Sequence, residues 1–231
     1  MNQTIVPNSG PKLRLVEAAE KLFAEKGFEA VSVRDITKEA GANVAAVNYH
    51  FGSREGLVVA VISRYLIPVS QERLASLERA ERNGGGVEEI IAAFVRPTGE
   101  LVNKSELTEK LYGQLVGRIF TEPLVELPGE LEQNARAVVE RFTKALHKLL
   151  PDIPADELVW RLHFVVGGLI HLLTHSGFLY RVGGHLAGNP SMELTISRFL
   201  KFATAGVIHG SDTSVVAGKQ PKAVPQSVFN F

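Results

Sequence analysis

The stretch Asn43-Val44-Ala45-Ala46-Val47-Asn48-Tyr49-His50 holds the clearest chemistry in this sequence. Asn48 carries a donor and an acceptor side by side, the pair that matches an adenine edge, while Val44 or an alanine methyl can touch a thymine methyl. The small side chains of Ala45 and Ala46 let a helix backbone approach a major groove closely. Ser32, Tyr49, His50 and Arg54 suit phosphates, because their donors meet anionic oxygen without reading a base. Val33 and Asn43, at the starts of the two helices that would carry these groups, complete the expected DNA-binding set. Arg34 reads instead as a surface ion-pairing residue.

Other groups are weaker candidates. His171 and His175 sit four apart and share a helical face, a spacing that can chelate a metal. No carboxylate or third histidine accompanies them at helical spacing, so packing at a subunit interface is the expected role and no metal is expected. Ser105 and Ser176 lack the Gly-x-Ser-x-Gly turn that would expose a nucleophile, so no catalytic residue and no enzyme activity is expected. No cofactor is expected either. Phe94, Tyr112, Leu115, Ile119, Trp160 and Phe164 could line an apolar cavity, with Arg118, Arg161 or His163 for an anionic head group. Aromatic residues at helical spacing are more often plain core, so both readings stay open.

The elements that must position these groups are helices. From Pro11 to Lys26, Leu15, Ala18, Ala19, Leu22 and Phe23 recur at helical spacing, and Gly27 ends the run. Ser32 and Asp35 form a Ser-x-x-Asp start for a helix of about 33 to 40, and Gly41 stops it. Asn43 caps a second short helix to Phe51, and Gly52-Ser53 turns the chain into a long helix of 54 to 81. Ile36, Ala40, Val47 and Phe51 would form the small core of this helix-turn-helix. Further helices are expected at 86 to 102, 105 to 120, 129 to 149, 155 to 181 and 191 to 209, separated by glycine and proline clusters. No strand pattern competes, so the fold class is all-α. The domain division is 1 to 53 for DNA binding, 54 to 210 for sensing and dimerisation, and 211 to 231 as a polar tail.

Bulk properties narrow the setting. The chain has 231 residues, no cysteine, 45% hydrophobic residues and 22% charged, which suits a globular protein without disulfides or a thiolate zinc site. The polar start, without a secretory apolar run, predicts a cytoplasmic protein that neither spans nor binds a membrane. Its 25 basic and 25 acidic residues cancel, and over residues 1 to 55 seven of each face one another. DNA binding must then depend on how charges are sorted between faces and on helix N-termini.

Residues 12 to 59, with LFAEKGF, SVRDI and YHF followed by a polar turn, closely resemble the N-terminal domain of the TetR family. Val44, Ala45 and Asn48 depart from what is common there, a lysine, a glycine and an aromatic, so an operator sequence does not transfer. The resemblance implies a homodimer that binds a double-stranded DNA operator and answers a small-molecule effector. The segment YGQLVGRIFTEP with Leu158 to Phe164 also resembles the C-terminal domain of PsrA-type regulators, which implies a fatty acid or acyl thioester effector. Independently, LVWRLHFVVGGLIHLL is apolar nearly all round and must be covered on more than one side, and Gly167-Gly168 would admit a close neighbour. A transcriptional activator and an architectural DNA-binding protein without a ligand remain alternatives to a repressor.

Overall fold

The computed structural model describes residues 10–104, 109–122, 129–188 and 191–210. Among these residues every regular element is a helix: α1 Pro11–Lys26, α2 Val33–Glu39, α3 Val44–Phe51, α4 Arg54–Arg82, α5 Val87–Lys104, α6 Glu109–Thr121, α7 Gly129–Leu149, α8 Ala155–Ala187 and α9 Met192–His209. The polar tail expected at 211 to 231 lies outside the described residues.

The short helices are set by their caps. Ser32 Oγ accepts from the Asp35 amide while the Asp35 carboxylate takes the Ser32 amide, which satisfies two donors that a seven-residue helix could not satisfy internally. Asn43 Oδ1 accepts from the Ala46 amide, Ser53 Oγ from Gly56 and Ser191 Oγ from Leu194. Between α2 and α3 the chain turns at Gly41, whose φ of 60° a side chain would resist.

α1 to α3 close on Leu15, Ala19, Phe23, Ile36 and Val47, all fully buried, and the first turns of α4 complete that core with Leu57, Val58 and Val61. The expected boundary at 53/54 is therefore a helix start rather than a packing boundary. α4 rises about 43 Å at 1.5 Å per residue and packs on α1 and α3 at one end and on α5 and α7 along its length. In the larger half, Phe94 of α5 meets Phe142 of α7 edge-on at 5.0 Å, and Tyr65 of α4 meets Tyr112 of α6 at 5.6 Å. Glycines bring helices close elsewhere. A methyl at Gly113 would lie 2.5 Å from the Leu173 carbonyl, one at Gly117 equally near Thr174, and one at Gly168 2.8 Å from Phe199.

α8 departs from the single helix expected at 155 to 181. It continues to Ala187 and is broken at His175 (φ −128°) and Gly184 (φ 50°). The Thr174 hydroxyl donates back to the Ile170 carbonyl at 2.8 Å and lies 2.6 Å from His175 Nδ1, so side chains compete with the backbone ladder where the helix gives way. The span Ala155–His175 is long and apolar enough by composition to cross a bilayer, with a mean hydropathy of 1.2, and only 28% of it is buried within the chain.

The acidic groups tied to these elements set the response to acid. Hydrogen bonds from the Ser32 hydroxyl and amide hold the Asp35 carboxyl below its ordinary range, and the Arg141 guanidinium does the same to Glu81. Because these folded-state values lie below the unfolded ones, their contribution is present above about pH 4 and disappears as pH falls through the folded values. Urea denaturation from pH 6 to pH 2 should therefore show stability falling in acid, and Asp35→Asn and Glu81→Gln should each flatten that fall.

Candidate nucleic-acid interface

α3 presents one outward stripe. Val44, Ala45, Asn48 and Tyr49 are exposed, Tyr49 to 85%, whereas Val47 on the opposite side is fully buried between α1 and α2. Asn43 is exposed at the start of the stripe, although its side-chain oxygen is occupied as the cap. Ala46 and Val33 are half-buried against the core rather than on the outward stripe. His50 is also half-buried, stacked edge-on with Tyr49 at 5.0 Å and with Phe51 at 6.2 Å, so it steadies the tyrosine. Ser32 is exposed at the N-terminus of α2, but its amide and hydroxyl both donate to the Asp35 carboxylate in the capping box.

Two basic residues lie in environments other than those expected. Arg54 turns inward, with Nε donating to the Val31 carbonyl at 3.1 Å and Nη2 to that of Phe28. The loop between α1 and α2 leaves those carbonyls without helical partners, so Arg54 is a structural tie and not primarily a phosphate contact. Arg34, expected in an ion pair, is exposed on α2 and forms none among the described residues, as does Lys38, whereas Lys21 pairs with Glu39 at 2.7 Å. Lys21 and Glu39 thus offset each other beside α1, while Arg34 and Lys38 stay exposed on α2 with Asp35 between them. Composition could not show this, because pairing is decided by which helix faces meet.

The expected effector-lining residues are split. Phe94, Tyr112, Leu115 and Ile119 come together in the buried core of the larger half. Trp160, His163 and Phe164 do not join them. Leu158, Leu162, Val165 and Leu169 form the inward face of α8, which turns Trp160 (55% exposed) and Phe164 (67%) outward, with His163 exposed between them. Both expected arginine anchors are engaged elsewhere. Arg161 is buried, donating to Glu157 at 2.8 Å and to the Val207 carbonyl at 2.7 Å near the end of α9. Arg118 donates to the Ala24 and Glu25 carbonyls at the end of α1 and to Glu122, whose other oxygen accepts from the Phe28 amide at 2.8 Å. An open groove of about 340 Å³ between α7 and α8 contains none of the expected lining residues.

The sequence profile of bacterial regulatory proteins of the tetR family matches residues 15–61, and the profile of the tetracyclin repressor-like C-terminal domain matches residues 92–206. The transcriptional repressor KstR2 of Rhodococcus jostii is 38% identical over 140 residues, 59% of this chain and 67% of its own length. The chain belongs to the TetR family. The repressor AcnR of Corynebacterium diphtheriae is 26% identical over 180 residues, covering 75% of this TetR-family chain and 87% of AcnR. A crystal structure of a TetR-like regulator from Rhodococcus sp. RHA1 shares the fold with a TM-score of 0.55 at 15% identity, covering 92% of this chain and 99% of that one. The protein is accordingly a DNA-binding transcriptional regulator with an N-terminal helix-turn-helix and an all-helical C-terminal domain.

Salt titrations separate the two kinds of arginine. Arg34→Gln and Lys38→Gln should each reduce the slope of log K against log salt for operator binding by about one unit. Arg54→Met should leave the slope unchanged and lower folding stability by about 1–3 kcal/mol, since it strands buried carbonyls.

Proposed function

We propose that this regulator is a cytoplasmic homodimeric repressor that binds a pseudopalindromic operator and releases it on taking up a small apolar or amphipathic effector, with a fatty acid or acyl thioester as the leading candidate. The observation that carries the reading is the pairing of two exposed surfaces: the outward stripe of α3, and an apolar face on α8 and α9 that this chain leaves uncovered. On the second face Val159, Trp160, Phe164, Leu194 and Phe202 are exposed, Phe202 to 76%. Exposed large apolar side chains on two neighbouring helices suit an interface about a twofold axis. Gly167 opens on the same side with nothing near it, which admits a partner helix at close range. The stacked rings of His171 and His175, 4.9 Å apart and exposed, would lie at the edge of that interface as packing residues.

In the base-reading role, Val44, Ala45 and Asn48 meet base edges, while Tyr49, Ser32 and the Arg34/Lys38 pair fix the register on phosphates. Release requires that the sensing half move the reading half. α4 is one connection. The other is the clasp at the end of α6, where Arg118 holds the final carbonyls of α1, favourably placed for the helix dipole, and Glu122 holds the Phe28 amide. Gly27, at φ 93°, makes room for it, since a methyl there would lie 2.6 Å from Arg118 Nη1. An effector that shifts α6 therefore pulls directly on the end of α1. To weaken operator affinity about a hundredfold, it must favour the released state by roughly 2.7 kcal/mol.

Selection of bound duplexes from a random pool, followed by release assays with fatty acids, acyl thioesters and drugs, tests the whole reading. Failure to enrich an inverted repeat rejects it. Phe164→Glu and Phe202→Glu should yield monomers by sedimentation and reduce operator affinity by about a hundredfold or more, because one half-site cannot hold the protein alone. Glu122→Ala should accelerate amide exchange at Phe28 and weaken effector-driven release while leaving effector binding intact. Unchanged exchange and unchanged release would eliminate the clasp as a connection.

A further inference from the structure

Arg73 stands apart from the ion-paired arginines of the larger half. Arg79 pairs with Glu72, Arg141 with Glu81, Arg118 with Glu122 and Arg161 with Glu157. Arg73 reaches from α4 across to α5 and meets only neutral acceptors among the described residues. Its Nε donates to the Phe94 carbonyl at 2.8 Å, its Nη2 donates to the Thr98 hydroxyl at 3.1 Å, and its guanidinium lies 4.0 Å above the Phe94 ring. A guanidinium has five donors, and the remaining three meet no protein acceptor among the described residues. Burial pushes its pKa down to about 10, so it stays charged at neutral pH with no ion-pair partner among the described residues. Leaving a cation uncompensated in an apolar interior is costly unless something else supplies the anion.

The surroundings describe what would fit. The Arg73 side chain is deep yet keeps intermediate accessibility, as do Leu66 and Ser70 on the same face of α4, so this stretch can be reached from solvent. Tyr112 is buried beside it, its hydroxyl pushed up to about 12 and therefore a neutral donor, directed at the Thr98 carbonyl at 3.4 Å. Phe94, Phe142, Tyr65 and Tyr112 make the rest of the wall aromatic. A fork of free N–H donors flanked by hydroxyls and set in aromatic walls matches a carboxylate on an apolar body.

We infer that Arg73 is the effector anchor and that the effector is an amphipathic carboxylate, seated with its charged end on Arg73 and Thr98 and its apolar body along Leu66, Phe94 and Tyr112. This rests on the ligand-responsive reading above, and it assigns the charged role to a residue other than Arg118, Arg161 or His163. Bound there, the effector would join α4 to α5 and touch α6 at Tyr112, next to both connections to the DNA-binding half.

The test uses the full chain, the selected operator duplex and matched probes: decanoate and 4-phenylbutyrate against their primary amides. Calorimetry should show each acid binding about tenfold or more tightly than its amide, and fluorescence anisotropy should show only the acids releasing operator at equal concentration. In Arg73→Met the acid and amide affinities should converge, with operator binding retained. Arg73→Lys should recover part of the preference, and the acid-to-amide comparison on the unaltered chain needs no variant to fold. Equal binding of acids and amides, or an Arg73→Met chain that still prefers acids, overturns the anchor while ligand sensing stands. If no compound of either kind, nor any from the wider panel, releases operator, ligand sensing falls with it.

Discussion

Backbone groups at helix ends impose the constraint on which this protein is organised. An all-helical chain with several short helices has many orphan amides and carbonyls, and each must find a partner or lie in water. Serine and asparagine hold the amides at the starts of α2, α3, α4 and α9. Arginine holds carbonyls at the other ends: Arg118 at the end of α1, Arg161 at the end of α9, and Arg54 on the loop between α1 and α2. These three guanidinium groups are therefore structural before they are anything else. Arg73, whose partners among the described residues are neutral, is notable against that background.

The same constraint links the two halves. Because the orphan carbonyls of α1 are held by a residue of α6, the helix-turn-helix is tied to the larger half by polar contacts that depend on angle and distance. Hydrophobic packing of α4 on α1 and α3 tolerates sliding, whereas the Arg118 and Glu122 hydrogen bonds do not. In the proposed release, a shift of α6 would pass to α1, and through the buried Phe23, Ile36 and Val47 to α3.

Much of the DNA-binding half was legible in the residues. Ser32 and Asp35, Asn43, Gly27 and Gly41 mark helix starts and stops through local chemistry that needs no tertiary context, and Ile36, Ala40 and Val47 fall on the core as their spacing implies. The helices of the larger half were also readable from periodicity. The break at His175 was not, because no glycine or proline marks it; a Thr174–His175 side-chain contact accompanies it.

The sequence alone determined that the chain is helical, where the helix-turn-helix lies, and that α8 has more apolar surface than one side can cover. Those properties are periodic or local, so residue order contains them. Tertiary structure decided which aromatic residues look inward and which arginines are occupied. Trp160 and Phe164 share the apolar character of Phe94 and Tyr112, yet the rotation of α8 set by Leu158, Leu162 and Val165 sends them to the opposite face. Arg54, Arg118 and Arg161 are the same residue type as Arg73, and only the helix ends within their reach distinguish them.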